Sequence, residues 1–162
     1  MTAQIANGGY KIYPKLILNK DDENINSDKF KPLYKNSKNI KLVQEAMFSS
    51  TNEVRGTSYR SRIEDPKYQF AGKTGTAQVK RITKKDRELD LKTFEIPYEE
   101  RDHALYVAFG PYKNPRYAMS ILVEHGGSGS SVAAPIAKKL FKKVIDRHEI
   151  RKSFNAKRYL DI

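Results

Sequence analysis

From Phe70 onward the apolar positions of this chain keep a strand rhythm. Between Tyr117 and Glu124 the alternation is strict: Tyr117, Met119, Ile121 and Val123 fall on one face, and Ala118, Ser120, Leu122 and Glu124 on the other. Ala104 to Phe109 is a compact apolar run, and Phe70 to Val79 is an extended stretch of mostly small residues. Pro111 to Pro115 carries turn chemistry, with Asn114-Pro115 its strongest signal. Lys80 to Arg101 is densely charged with both signs and reads as a long solvated hairpin connection. Past the flexible Gly126–Ser130 link, Ser131 is the expected N-cap of a last helix, with Pro135 in its first turn, where a missing N–H does no harm. Ile136, Ala137, Leu140, Phe141 and Val144 make its apolar stripe, and Lys138, Lys139, Lys142 and Lys143 lie off that stripe. These elements predict an α+β fold, an antiparallel sheet meander of three strands with the C-terminal helix packed on it. Both outer edges of such a sheet stay open unless something pairs with them.

The front of the chain is less regular. Met1 to Ala6 has helical composition and Asn7-Gly8-Gly9 is a good helix stop. About six residues fall short of the dozen a helix usually needs without help, so this segment reads as the last turns of a longer helix. Tyr10 to Leu18 is extended at best because of Pro14, and Asn19 to Lys35 reads as loop. Ser37 is the expected N-cap of a helix through Ile40, Leu42, Val43, Ala46 and Met47, and Ser49-Ser50-Thr51-Asn52 is expected to fray its end. Gly56 opens a short segment to Ile63, closed by Pro66. The chain thus divides into a helix and loop lead-in over 1–66, sheet plus helix over 67–147, and a basic tail over 148–162. No internal repeat is visible.

Composition narrows the function classes. The chain has 162 residues, with 31 Lys plus Arg against 19 Asp plus Glu, a formal net charge of +12. That length holds one domain or part of a larger one. Ten Tyr and seven Phe are too many aromatics for a disordered basic tail. The absence of cysteine excludes disulfide scaffolds, thiol nucleophiles and cysteine-ligated metal centres. No stretch approaches the roughly 20 apolar residues that cross a bilayer, and the start is too short for a signal peptide, so the chain reads as soluble.

The sharpest local feature is Ala71-Gly72-Lys73-Thr74-Gly75-Thr76-Ala77-Gln78. Lys-Thr-Gly on a strand is one element of the active-serine, penicillin-recognising enzymes. An edge strand offers backbone N–H and C=O groups to an extended peptide, and Gly75 carries no side chain to block that approach. Thr74 and Thr76 share one face at period two, so two hydroxyls can meet a substrate carboxylate. Lys73 adds positive charge beside that carboxylate and beside a nearby anionic intermediate. In a regular strand Lys73 points away from both threonines, and twist must bring its ammonium round. A phosphate loop is the rival for Gly72-Lys73-Thr74, but it needs glycine at 67, where Lys67 stands, and a helix after the threonine.

The motif has context. It is followed in order by Asp102-His103-Ala104-Leu105-Tyr106-Val107-Ala108-Phe109-Gly110-Pro111, Asn114-Pro115-Arg116-Tyr117-Ala118, Val123-Glu124-His125-Gly126-Gly127-Ser128-Gly129 and Ala133-Ala134-Pro135-Ile136-Ala137. Order and spacing resemble the C-terminal part of the transpeptidase domain of class B penicillin-binding proteins, in particular the elongation-type members. Leu105-Tyr106 stands where Trp-Phe is usual, and Gly110 where Ala is usual. The resemblance implies a partial penicillin-binding transpeptidase domain and a peptidoglycan D,D-transpeptidase reaction, in which a serine attacks D-alanyl-D-alanine and forms an acyl-enzyme. It implies a catalytic role for Lys73 and substrate binding by Thr74, Gly75 and Thr76, with the Thr76 N–H in the oxyanion hole. The implied ligands are a peptidoglycan stem peptide or a β-lactam, with no cofactor and no metal. The implied location is the periplasmic face of the inner membrane.

One part is absent. The family's nucleophile sits in Ser-x-x-Lys, and no serine here has lysine at the third following position. By letters Ser-x-Asn occurs at Ser37-Lys38-Asn39, Ser50-Thr51-Asn52 and Ser153-Phe154-Asn155, none of them in the family's place, and is read as chance. The resemblance therefore implies a fragment that is inactive alone, whose partner is the missing N-terminal part of the domain. His103, His125 and His148 each neighbour a carboxylate residue, but none has a ligand partner at helical spacing, and they read as ordinary surface histidines. The Gly126–Ser131 run misses the dinucleotide pattern at Val132 and reads as loop. The lysines of the last helix, with Arg147, Arg151, Lys152, Lys157 and Arg158, leave an alternative: a basic non-enzymatic module for nucleic acid or anionic surfaces. No nucleic-acid motif accompanies them, so a solvated face is expected and nucleic acid is not.

Overall fold

A computed structural model describes residues 1–14, 16, 31–81, 84–89 and 91–160, and within its helices it leaves aside the side chains of 85–87 and 154–160. The expected loop over 19–35 lies mostly outside the described residues, as do parts of the extended segment that precedes it. The centre of the molecule is an antiparallel sheet in the order β1-β2-β3, with β1 at Ala71–Ala77, β2 at His103–Gly110 and β3 at Tyr117–Val123. Ala71 pairs with Phe109, Thr74 with Tyr106 and Ala77 with His103, and Ala104 pairs with Val123 on the other side. This is the meander that the alternation predicts. The β1–β2 connection is as long as expected, but it folds a short helix, Lys84–Leu89, and a 3-10 turn, Tyr98–Glu100.

Both faces of the sheet are covered. On one, Phe70, Ala104, Tyr106, Ala108 and Ile121 pack against Ala134, Ala137, Phe141 and Ile145 of the long helix Ala134–Leu160. Phe70 and Phe141 stack with centroids 4.9 Å apart. On the other, Ala71 and Phe109 meet Ile5 and Ala6 of the helix Thr2–Ala6 and Met47 and Phe48 of the helix Ser37–Asn52. The helices are labelled in chain order: α1 (Thr2–Ala6), α2 (Ser37–Asn52), α3 (Lys84–Leu89) and α4 (Ala134–Leu160).

Short α1 persists because tertiary bonds replace length. The Gln44 side-chain amide of α2 donates to Ile5 O at 2.6 Å, and Asn7 Oδ1 accepts from the N–H groups of Gly9 and Tyr10. Gly8 and Gly9, at φ 91° and 89°, make the expected stop.

Three local expectations need correction. Asn36, not Ser37, caps α2, its Oδ1 accepting from Lys38 N–H at 2.9 Å. The end of α2 does not fray at 49–52: Thr51 is fully buried, and Asn52 Nδ2 donates to Phe48 O and Phe70 O at 3.0 Å each. Polar side chains that compete with the helix backbone in isolation here find partners across the chain. Before α4, Ser131 is no cap but part of a π-helical turn, Gly129–Ala133, which sets the phase of the helix behind it. The buried stripe is thus Ala134, Ala137, Phe141 and Ile145, while Ile136 and Leu140 are 38% and 41% exposed. Lys138, Lys139, Lys142 and Lys143 face water as expected. The helix continues past Arg147 to Leu160.

Candidate active-site edge

The Lys-Thr-Gly segment lies on the outer edge of β1, and the chain finishes the two halves of that edge differently. In the N-terminal half, Asn52 takes Phe70 O, and Thr51 Oγ1 approaches Gly72 O at 3.5 Å. Tyr106 passes beneath the strand from β2 to join them. Its hydroxyl lies 2.8 Å from Thr51 Oγ1 and 3.1 Å from Ser58 Oγ, and these two lie 3.3 Å apart, a closed triangle of buried hydroxyls. Burial pushes the Tyr106 hydroxyl above its ordinary pKa, partly offset by the bonds from Ser58 and Thr51. Only glycine at 72 admits this arrangement, because a Cβ there would sit 2.3 Å from the Tyr106 oxygen. The Tyr106 hydroxyl thus has two hydrogen-bonding neighbours, Thr51 and Ser58, and a glycine at 72 that leaves room for the ring. Gly110 has a similar reason: a Cβ there would come within 3.0–3.2 Å of Phe70 and Phe141.

In the C-terminal half the edge opens. Lys73 Nζ does come round: it donates to Thr74 O at 2.9 Å and to Thr74 Oγ1 at 3.3 Å, although its Cβ starts on the opposite face. The carbonyls of Phe70, Gly72 and Thr74 are all met from outside the sheet. Since an antiparallel strand alternates between its partner and the outside, the N–H and C=O of Thr76 also face outward, and Thr76 is exposed. Gly75 has a single neighbour near its Cβ position, Leu105 Cβ at 3.3 Å. Behind it, the π-helical turn presses on the strand so closely that a Cβ on Gly129 would lie 2.6 Å from Gly75 O and 2.4 Å from Leu105 O. The strand is held from behind and free in front.

Nothing in the sequence marks Thr57. Its hydroxyl lies 3.3 Å from Thr74 Oγ1 and 3.2 Å from Ser50 Oγ. The loop that carries it folds back on the end of α2, where Ser58 N–H and Oγ both donate to Ser50 O. Seventeen residues separate Thr57 from Thr74. The histidines are not simply surface groups. His125, at φ 53°, donates its N–H to His103 Nδ1 at 2.9 Å, and the two rings meet at 4.8 Å. His148 lies against the Tyr117 ring. Among the described residues no three His, Cys, Asp or Glu converge as metal ligands, and no helix is long and apolar enough to cross a membrane.

A held edge strand bearing Lys-Thr-Gly, with helices packed on both faces of its sheet, defines a class. The model of the penicillin binding protein transpeptidase domain matches residues 1–142, and the chain belongs to that family. It is similar to the peptidoglycan D,D-transpeptidase MrdA of Salmonella typhimurium, with 40% identity over 105 residues that are 65% of this chain and 16% of that protein. Among solved structures it is similar to Pseudomonas aeruginosa PBP2, crystallised with WCK 5153, at 32% identity and TM-score 0.63, covering 88% of this chain and 28% of that one. It is also similar to the PBP2 of Helicobacter pylori in its complex with MreC, at 32% identity and TM-score 0.59, covering 76% of this chain and 20% of that one. The matched part of the chain therefore spans about a sixth of the length of the MrdA relative.

Proposed function

We propose that this chain is the substrate-binding portion of a peptidoglycan D,D-transpeptidase and is completed by the remainder of such a domain, which brings the nucleophile. The observation that carries the reading is the half-open edge of β1. A peptide tail laid along Thr74–Thr76 meets outward N–H and C=O groups, two threonine hydroxyls for its carboxylate and the Lys73 charge at the same edge. The outward Thr76 N–H would donate to the oxyanion of the tetrahedral intermediate, in which the ester-forming C–O bond is made before the terminal D-alanine amine leaves with a proton. Lys73 is the catalytic residue of this portion. Thr74, Gly75 and Thr76 bind substrate.

The reaction also needs a serine, and the Lys73 ammonium hydrogen-bonds only Thr74 among the described residues. The second open edge suggests where the completing portion sits. β3 has no strand on its outer side among the described residues, and its Leu122 is 56% exposed. By the same family resemblance the assembled domain works at the periplasmic face of the inner membrane. Fluorescent penicillin labelling tests the proposal: the chain alone stays unlabelled, and mixing it with the remaining portion of a transpeptidase domain restores a covalent adduct. Stable acylation of the chain by itself, or no adduct from a pair that co-purifies, overturns it.

A further inference from the structure

Among the described residues, the Thr74 hydroxyl has one hydrogen-bond neighbour from outside β1, Thr57, at 3.3 Å. Thr57 is exposed, and an exposed threonine is ordinarily no more than solvated surface. This one stands on a loop that is fixed on both sides of it. Before it, Gly56 N–H donates to Glu53 O at 2.8 Å, and a Cβ on Gly56 would lie 2.4 Å from Ser50 O. After it, the N–H and the hydroxyl of Ser58 both donate to Ser50 O at 3.0 Å, and Ser58 belongs to the buried Tyr106 triangle. The backbone is held, and the side chain between the two anchors reaches the β1 edge.

Counting hydrogens gives that contact a direction. A hydroxyl has one hydrogen to give and can accept two. The Lys73 ammonium can only donate, so Thr74 Oγ1 accepts from it at 3.3 Å. An ionised carboxylate can only accept, so a peptide tail that ends against Thr74 takes the Thr74 hydrogen. The second lone pair of Thr74 Oγ1 then accepts from Thr57, and Thr57 Oγ1 accepts from Ser50 Oγ at 3.2 Å. Ser50, Thr57 and Thr74 form a chain of hydroxyls that all donate toward the tail, each polarised by the one behind it. Without Thr57 the Thr74 hydroxyl keeps only the Lys73 bond, and its hydrogen is free to turn to water.

We propose that Thr57 is a positioning residue of the β1 site, one that holds the Thr74 hydroxyl as an outward donor for the carboxylate ending the peptide tail. This rests on the peptide-binding reading of β1 and adds to it a residue that acts only through Thr74. The test is a titration of the full chain, followed through its amide NMR signals, with a peptide ending in D-alanyl-D-alanine, once as the free acid and once as the C-terminal carboxamide. In the parent chain the acid is expected to bind about tenfold more tightly, since a hydrogen bond to a charged acceptor is about twice as strong as a neutral one. Thr57→Val keeps the shape of the side chain and removes its hydroxyl, and it is expected to cut that preference to about threefold. Thr57→Ser is expected to keep it. A preference undiminished in Thr57→Val, including an equal loss of affinity for both peptides, overturns the positioning role and leaves the edge reading standing. So does a preference lost equally in Thr57→Ser, which still carries a hydroxyl. Absence of any shift in β1 with either peptide, or equal binding of the two by the parent chain, overturns the edge reading and the role of Thr57 with it.

Discussion

The sheet has two outer edges, and they are open for different reasons. The β1 edge is finished by this chain: Asn52, Thr51 and the Tyr106–Ser58 hydroxyls close its first half, and the second half is held from behind by the π-helical turn. The β3 edge has nothing comparable. Its outer side lacks a strand among the described residues, and Leu122 on it is exposed. On the proposed reading, the framed opening is the binding site and the bare one is the interface to the remainder of the domain.

The comparison breaks most visibly at Gly72. Gly72→Ala places a methyl 2.3 Å from the Tyr106 oxygen, and the expected loss is about 3 kcal/mol from overpacking plus broken buried bonds. Urea denaturation of the chain measures it. A loss below about 0.5 kcal/mol, the range of ordinary surface changes, would mean that the frame is not what holds β1. Lys73→Ala separates the two edges: stability should stay within about 0.5 kcal/mol because the residue is exposed, and assembly should persist. Penicillin labelling of the assembled domain should then fall on the order of a hundredfold. Leu122→Lys should do the reverse, weakening co-purification of the two portions while leaving the β1 geometry, read from its amide signals, unchanged.

Tyr106→Phe is a milder probe of the frame. Thr51 and Ser58 keep the backbone acceptors Met47 O and Ser50 O, so the expected loss is about 1 kcal/mol. It also carries a pH signature. Burial raises the folded-state pKa of Tyr106 above its ordinary value of 10.0. A neutral phenol is thus what the fold accommodates, and ionisation is easier in the unfolded chain. The folded state is therefore undisturbed below pH 10 and loses stability as pH rises from there through the folded value. Denaturation midpoints should decline above pH 10 in the parent chain and decline less in Tyr106→Phe. The smallest effect is expected at Asp146. The Tyr68 hydroxyl, and after it Lys67, hold this carboxyl below its ordinary pKa. Its contribution is present above about pH 3.8 and disappears as acid titrates the folded state below that value. Asp146→Asn should flatten this acid limb slightly, a change readable in thermal melts.

Much of this was legible along the chain. The strands, the turn before β3, the lysine-covered face of α4 and the Lys-Thr-Gly motif all come from period and residue type, because alternation and helical spacing are local geometry. The failures share a cause. Ser49–Asn52 reads as fraying because hydroxyl and amide side chains weaken an isolated helix end, yet their partners, Tyr106 and Phe70 O, lie 18 to 55 residues away. On α4 the expected Ala137 and Phe141 are buried, but Ala134 and Ile145 join them in place of Ile136 and Leu140, behind a π-helical turn that no spacing announces. Thr57 carries no signal of its own, since nothing in its surroundings distinguishes it until the loop folds against Thr74.

The sequence by itself therefore determined the sheet, its strand order and the chemical character of its motif, including the absence of a Ser-x-x-Lys nucleophile. Only the tertiary structure decided which half of β1 is closed, that the Lys73 ammonium reaches the outer edge, and that Thr57 stands beside Thr74. Period and residue type act over a few neighbouring positions. Closure of an edge is set by hydrogen-bond partners that folding brings together from distant parts of the chain.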